Sequence, residues 1–196
     1  VGSEMCIRDS NNICFLHAPL FHPALKNVGK VRTELAVKTF LNMLGPLVNP
    51  ARPQVQLAGV FNTQVARLYY YNLQNEGIDF SVIHDLNGYD EISLTGPVKV
   101  FNTNGEFVLQ PSDFGLPTGT PNSIYGGKDV ASAASIFSKV LEGKGTAAQH
   151  NVVAANAGLG IATYKHCSLK EGVEEAMEAI TNKKALDVLN ATIQMQ

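Results

Sequence analysis

Short apolar runs of strand length alternate with longer segments of helical period along the chain. Residues 54–61 and 80–84 have the length and composition of buried strands, and a segment of helical period at 63–74 lies between them. Few folds bury such a pattern, because helices and strands that alternate must pack as layers around a shared sheet. The alternation therefore predicts the α/β fold class.

Local signals place the remaining elements. Asn104-Gly105 is a strong turn dipeptide and predicts a hairpin of residues 98–101 and 106–109. Ser168 and Glu171 have the spacing of a capping box, which predicts a helix start there. Further helices are predicted from Pro23 to residue 36, at 39–44, along an apolar stripe at 130–140, at 147–162 and at 183–193.

The composition narrows the class of protein. Of the 196 residues, 45% are hydrophobic and 16% are charged, which provides one ordinary core and argues against disorder. A net charge of -2 provides no basic field for nucleic acid or for a membrane surface, and no apolar run approaches the length of a span. The absence of a signal pattern, with three cysteines in no metal-like spacing, predicts a reduced, cytoplasmic protein.

The first candidate site is the helix that holds His22 and Arg32. Leu25 and its periodic neighbours define the apolar face, and both His22 and Arg32 lie on or next to it. Because an unpaired buried charge is costly, Arg32 must either extend its charged end to solvent or meet an anion. Two partners fit: an Asp or Glu of the same chain, or the carboxylate of a ligand that matches the planar guanidinium.

The second candidate is the loop after the strand at 80–84, which contains Asp90 and Glu91. Ligands of open α/β sheets bind outside the carboxyl ends of strands. Two adjacent carboxylates there suit Mg²⁺, which takes oxygen ligands and usually keeps a phosphate substrate as a co-ligand. The alternative is a solvated acidic turn.

Two further loops have glycines that fit either a ligand or a plain turn. Gly45-Pro46 either lets the backbone approach a flat ligand or ends a helix. Gly126-Gly127 either cradles phosphate or prepares a helix start.

Several of these segments together match a known signature. Residues 15–26 (Phe-Leu-His-Ala-Pro-Leu-Phe-His-Pro-Ala-Leu-Lys), Val31-Arg32 and residues 39–50 resemble the signature block of anthranilate phosphoribosyltransferases. Asp90-Glu91 and Asp113-Phe114-Gly115 follow in the family's order. The resemblance covers about residues 11–196 and implies a partial domain of the nucleoside phosphorylase and phosphoribosyltransferase type, with a mixed sheet flanked by helices.

The resemblance also implies roles. Arg32 matches the arginine that binds the anthranilate carboxylate, and His22 and Pro46 match residues beside the anthranilate site. Asp90 and Glu91 match the acidic pair that holds Mg²⁺ on the pyrophosphate. The implied substrates are anthranilate and phosphoribosyl pyrophosphate, the implied pathway is tryptophan biosynthesis, and no catalytic base is identified.

Parts of the family pattern are absent from this sequence. The chain has no Gly-Thr-Gly-Gly-Asp phosphate loop and no Lys-His-Gly-Asn segment, and it lacks the serine that completes the Mg²⁺ shell and most of the N-terminal helical domain that dimerises the family. Residues 1–10 match nothing in the family and are predicted to be foreign or disordered, before an incomplete glycosyltransferase-type domain at 11–196. The parent protein is expected to be a homodimer, and this chain alone is expected to be inactive.

Two other interpretations remain open. One is a related enzyme such as a nucleoside phosphorylase, although its base substrate lacks the carboxylate that Arg32 favours. The other is a non-catalytic binding or dimerisation module. A sheet cut from its missing half argues against that module, because it exposes strand edges and apolar surface.

Overall fold

The computed structural model of the protein describes residues 11–15 and 41–194. They fall into two compact units, of which the larger is Pro53–Leu186. The smaller unit contains the described parts of Val1–Arg52 and Asp187–Gln196. The helix predicted from Pro23 lies outside the described residues.

The described elements follow the predicted order closely. The helices are α1 (Leu41–Leu44), α2 (Thr63–Glu76), α3 (Val130–Leu141), α4 (Ala147–Lys165), α5 (Leu169–Thr181) and α6 (Lys184–Gln194). The strands are β1 (Val55–Gly59), β2 (Asp79–Asp85), β3 (Val98–Asn102) and β4 (Gly105–Leu109). Three short 3₁₀ turns lie at Gly45–Val48, Pro111–Phe114 and Pro121–Ile124.

Side-chain caps explain where several helices begin. Asn62 accepts a hydrogen bond from the Val65 N–H at 2.8 Å at the start of α2. The predicted capping box of α5 is present, since the Ser168 N–H donates to Glu171 Oε2 at 2.9 Å and the Glu171 N–H donates to Ser168 Oγ. The side-chain hydrogen bond from Ser168 lowers the pKa of Glu171.

The four strands form one mixed sheet in the order β1-β2-β3-β4. β1 and β2 are parallel, with Val55 opposite Asp79, and the other two pairs are antiparallel. The predicted α/β class, with a mixed sheet flanked by helices, is confirmed. The hairpin is also present, although Asn102 pairs with Gly105, so the turn is one residue earlier than predicted.

Alternate residues of β2 point to two different helical layers. On one face, the Tyr70 ring of α2 lies 5.9 Å from the Phe80 ring, centroid to centroid, and 5.8 Å from that of Phe101. On the other face, Ile83 and Val100 belong to a buried cluster that includes small and branched residues of α4. The side-chain alternation of a strand therefore produces a helix–sheet–helix arrangement within the larger unit.

α4 and α5 approach so closely that no Cβ fits between them. A Cβ on Gly158 would lie 2.7 Å from the Val173 backbone nitrogen, and a Cβ on Gly172 would lie 2.3 Å from the Gly158 carbonyl oxygen. The glycines at this crossing let the two helix backbones meet, which fixes the position of α4 against α5.

Large apolar side chains of α2 and α3 are exposed. The predicted stripe of α3 is buried only at Val140, whereas Val130 is 87% exposed and Phe137 is 54% exposed. Leu68 on α2 is 60% exposed. Helical periodicity identifies an apolar face, but it cannot show whether the described part of the chain covers that face.

The close α4–α5 crossing predicts opposite effects for two glycines of the same helix. Gly158→Ala should destabilise the protein by about 1–3 kcal/mol, because the added methyl overpacks the crossing. Gly160→Ala is the matched control, since among the described residues its methyl meets only Leu57 Cδ2, at 3.6 Å, and it should stabilise by up to about 1 kcal/mol. Denaturant unfolding measures both. Equal effects of the two substitutions would contradict the packing.

Candidate functional site

The predicted site residues fall in different parts of the molecule. His22 and Arg32 lie outside the described residues, and Pro46 belongs to the smaller unit. Asp90 and Glu91 belong to the larger unit and are both exposed. The structure therefore shows the surroundings of the acidic pair and of Pro46 separately, and the predicted anthranilate roles stay predictions.

The acidic pair lies where β1 and β2 end. We call residues 86–97, which join β2 to β3, the acidic loop. Its backbone crosses the end of β1 so closely that a Cβ on Gly59 would lie 1.7 Å from the carbonyl oxygen of Asp90. Asp90 and Glu91 therefore stand at the carboxyl edge of the parallel strand pair, the edge at which ligands bind in such sheets.

The buried carboxylate of Asp85 accepts hydrogen bonds from the acidic loop. Asp85, the last residue of β2, has no solvent exposure. Its Oδ1 accepts the Asn87 N–H at 2.8 Å, and its Oδ2 accepts the Ser93 N–H at 3.0 Å and the Ser93 hydroxyl at 2.6 Å. One side chain thus connects both ends of the segment that contains the acidic pair.

The side-chain amide of Asn156 holds the residue directly after Glu91. Asn156 Oδ1 accepts the Ile92 N–H at 2.9 Å, and Asn156 Nδ2 donates to the Ile92 carbonyl at 2.8 Å. The second Nδ2 proton goes to the Val152 carbonyl, one turn earlier in α4, at 2.8 Å. The amide uses both of its N–H groups and its oxygen in this arrangement.

Two apolar side chains anchor the loop in the core. Ile92 and Leu94 are 1% and 3% exposed and pack in the same cluster as Leu159 of α4. Leu94 has a φ of 58°, a left-handed conformation that is unusual for a bulky residue. Its carbonyl accepts the Gly119 N–H at 2.8 Å. This combination of burial and unusual backbone geometry shows that the surrounding contacts determine the path of the loop.

The donor set of the loop fits Mg²⁺ that shares its shell with a substrate. Within the described residues, no three side chains of His, Cys, Asp or Glu gather as a metal cage. Within the acidic loop, Asp90 and Glu91 provide two adjacent, exposed carboxylates. Mg²⁺ typically binds through one or two carboxylates, substrate phosphate oxygens and water, so this pair suffices for that mode and not for a closed structural site.

Pro46 begins a tight turn directly after α1. It lies near the start of the 3₁₀ turn Gly45–Val48 and is half-buried. Nothing in the described residues lies within 4 Å of a Cβ built on Gly45. After the turn, Asn49 Oδ1 accepts the Ala51 N–H at 2.9 Å. The corner is therefore open on its Gly45 side, which is compatible with the predicted approach of a flat ligand.

Gly126-Gly127 precedes a helix start, as one of the two interpretations predicted. Gly127 has a φ of 100°, and a Cβ there would lie 2.7 Å from Ser132 Oγ in the first turn of α3. Asp129 caps this helix, and hydrogen bonds from Ser132 lower the pKa of Asp129. The glycines therefore allow close packing at the helix start.

Sequence patterns did not identify the residues that support the acidic loop. Gly59, Asp85 and Asn156 each contact the loop through backbone atoms or buried polar groups. Asn156 is 64 positions from its partner Ile92. The one local signal is Asp85 itself, a carboxylate placed at the end of an otherwise apolar strand.

Comparison with protein families gives a match across nearly the whole chain. The family described as "Glycosyl transferase family, a/b domain" matches residues 3–186. The chain belongs to this family. No helix of the described residues is long and apolar enough to cross a membrane.

Individual relatives are anthranilate phosphoribosyltransferases, which confirms the resemblance stated above. The chain is 53% identical to that enzyme of Flavobacterium johnsoniae over 186 residues, covering 95% of this chain and 56% of the relative. It is 54% identical to the enzyme of Christiangramia forsetii, covering 94% of this chain and 55% of the relative. The chain thus spans little more than half the length of these relatives.

Solved structures of anthranilate phosphoribosyltransferases share the fold of this chain. The Thermus thermophilus enzyme aligns with a TM-score of 0.86 at 31% identity, covering 98% of this chain and 58% of that one. The Saccharomyces cerevisiae enzyme, in complex with phosphoribosyl pyrophosphate and Mg, aligns with a TM-score of 0.82 at 28% identity. That alignment covers 93% of this chain and 52% of the yeast chain.

The contact of Gly59 with the acidic loop predicts a local effect of one methyl group. Gly59→Ala should move the backbone at Asp90 and destabilise the protein by about 1–3 kcal/mol, because the new Cβ overlaps the Asp90 carbonyl. Amide NMR shifts of residues 89–93 and denaturant unfolding measure the change. Gly126→Ala is the control, because no atom of the described part of the chain lies within 4 Å of a Cβ there, and it should leave these amides in place. Unchanged Asp90 and Glu91 amides in Gly59→Ala would contradict the contact.

Proposed function

We propose that this chain is part of an anthranilate phosphoribosyltransferase. The enzyme would transfer the phosphoribosyl group of phosphoribosyl pyrophosphate to the amine of anthranilate, giving N-(5-phosphoribosyl)anthranilate and pyrophosphate. The observation that carries the proposal is an exposed Asp90-Glu91 pair at the carboxyl edge of the parallel strands, in a chain that is 53% identical to an enzyme of that name.

Each predicted residue has a role in this proposal. Asp90 and Glu91 would hold Mg²⁺ on the pyrophosphate. Arg32 would bind the anthranilate carboxylate, and His22 and Pro46 would line the anthranilate site. Two structures of the yeast enzyme support these ligand classes for that relative, one in complex with phosphoribosyl pyrophosphate and Mg and the other in complex with 4-fluoroanthranilate.

The chemistry makes two demands on the protein. The leaving pyrophosphate carries a large negative charge, which Mg²⁺ neutralises when it is bound. Anthranilate is a weak aromatic amine, so an enzyme gains most by holding the amine and the ribose carbon in line. Arg32 would fix the orientation of anthranilate through a bidentate pair of hydrogen bonds to its carboxylate. No residue of this chain is assigned as a general base.

The chain alone should turn over little substrate. Its sequence lacks the Gly-Thr-Gly-Gly-Asp loop whose backbone would cradle the phosphates, and it spans 56% of the Flavobacterium johnsoniae relative. We propose that the whole protein is a cytoplasmic homodimer of tryptophan biosynthesis, in which residues 11–196 form an incomplete glycosyltransferase-type domain. The assignment of residues 1–10 as foreign or disordered stays a prediction.

A chimera tests the activity directly. The part of the Flavobacterium johnsoniae enzyme that precedes the aligned region should be fused ahead of this chain. With phosphoribosyl pyrophosphate and Mg²⁺, the chimera should consume anthranilate, as measured by loss of anthranilate fluorescence, whereas this chain alone should not. Asp90→Asn combined with Glu91→Gln in the chimera should abolish most turnover, because the neutral pair binds Mg²⁺ weakly.

The controls separate the competing interpretations. A chimera that instead cleaves nucleosides with phosphate would favour the phosphorylase. A folded chimera with neither activity would favour the non-catalytic module. Normal turnover by this chain alone would contradict the requirement for the missing phosphate loop.

Arg32→Ala should separate the two substrates. In the chimera, this change should weaken anthranilate binding by tenfold or more, roughly the value of a charge-assisted hydrogen-bonded pair, and leave phosphoribosyl pyrophosphate binding nearly unchanged. Calorimetric titration of each ligand separately measures the effect. Arg67→Ala removes an exposed arginine whose ion pair with Glu106 is 4.0 Å long, and serves as the control. Equal losses for both ligands would contradict the role of Arg32.

A further inference from the structure

Asp90 and Glu91 present carboxylates whose own contacts do not fix them. Both side chains are exposed, and no hydrogen bond or ion pair to either carboxylate is found among the described residues. Their direction is therefore set by the backbone that presents them. Because a Mg²⁺ shell requires ligand oxygens in near-octahedral geometry, the groups that hold this backbone also determine how well the pair can bind the ion.

Three groups hold the backbone of the pair. Gly59 lies against the Asp90 carbonyl, Asp85 accepts the N–H and hydroxyl of Ser93, and Asn156 bonds both backbone groups of Ile92. Asn156 acts closest to Glu91. The Ile92 N–H belongs to the peptide unit that joins Glu91 to Ile92, so the bond from this N–H to Asn156 Oδ1 fixes the plane of that peptide unit.

The amide of Asn156 has one arrangement that satisfies all of its partners. Its oxygen faces the Ile92 N–H, and its nitrogen faces the carbonyls of Ile92 and Val152. Reversing the amide would place its oxygen against two carbonyl oxygens. A carboxylate at this position could accept from Ile92 but could not donate, and an aliphatic side chain could do neither. The contact therefore needs a primary amide on a short stem.

α4 gives Asn156 a rigid base. The adjacent residues Ala154 and Ala155 are fully buried in the core cluster, and Gly158 lies in the close crossing with α5. The Ile92 side chain, 1% exposed, packs into the same cluster. Asn156 therefore holds the peptide after Glu91 at a fixed position relative to α4 and α5.

We propose that Asn156 is a positioning residue for the Asp90-Glu91 cation site, acting through the backbone of Ile92. This inference rests on the proposed function for the acidic pair and adds the group that aims it. Residues that orient metal ligands from behind typically change metal affinity by about ten- to a hundredfold when they are replaced.

The test measures cation binding without turnover. The 196-residue chain is titrated with Tb³⁺, and luminescence is excited through tyrosine, since Tyr89 directly precedes Asp90. The Asp90→Asn, Glu91→Gln double variant defines the background from other carboxylates, and Mg²⁺ competes for the specific signal. Asn156→Leu, which has nearly the same shape as Asn, should raise the dissociation constant by about tenfold or more.

Thr163→Val is the matched structural control. Thr163 is also on α4 and half-buried, and its hydroxyl lies 2.8 Å from Ser81 Oγ on β2. Ser81 is near the start of β2, at the end away from the acidic loop. Thr163→Val should destabilise the fold through a comparable lost hydrogen bond and leave Tb³⁺ affinity unchanged. If Asn156→Leu does not fold, Asn156→Ala leaves room for water at Ile92 and should weaken binding in the same direction by a smaller factor.

Each outcome decides the proposal. Weaker Tb³⁺ binding in Asn156→Leu, with wild-type affinity in Thr163→Val, supports it. Wild-type affinity in Asn156→Leu, or equal weakening in both variants, overturns the positioning role and leaves the acidic pair as a cation site. A wild-type signal no greater than that of the double variant overturns the cation site itself, and the role of Asn156 with it.

Discussion

The close crossing of α4 and α5 at Gly158 and Gly172 supports the helix from which Asn156 holds the acidic loop. Because neither position has a side chain, the two helix backbones touch. From α4, Asn156 makes two hydrogen bonds to the backbone of Ile92, of 2.9 Å to its N–H and 2.8 Å to its carbonyl. A shift of α4 by even one ångström would lengthen both bonds beyond useful range. The packing of α4 therefore also affects the geometry of the acidic loop.

Asp85 adds a second dependence between the core and the loop. A carboxylate with no solvent exposure requires hydrogen-bond partners, since an unpaired buried charge is very costly. The described partners of Asp85 all come from the acidic loop, through Asn87 and Ser93. The loop in turn needs Asp85 to satisfy its buried N–H groups. Strand end and loop can therefore be stable only when they are folded together.

The sequence predicted the elements well because their signals are local. The capping box at Ser168, the strand lengths and the acidic pair after β2 all depend on residues within a few positions of one another. The role of Asn156 was not predicted, because its partner Ile92 is 64 residues away. A single Asn in an alanine-rich helix also forms no recognisable sequence motif. The stripe at Val130 and Phe137 shows the opposite failure, since a clear local pattern cannot reveal whether anything covers it.

The hydrogen bonding of the acidic loop has an electrostatic consequence. Loops that bind bare phosphate present free backbone N–H groups to it. Here the N–H groups of six residues are already bonded to acceptors of the protein, those of Leu86, Asn87, Gly88, Ile92, Ser93 and Thr95. The outward side of the loop adds two carboxylates. The two carboxylates repel a free anion, so in the proposed function this loop would accept pyrophosphate only across an intervening cation. Selection by the sign of charge would then precede selection by shape.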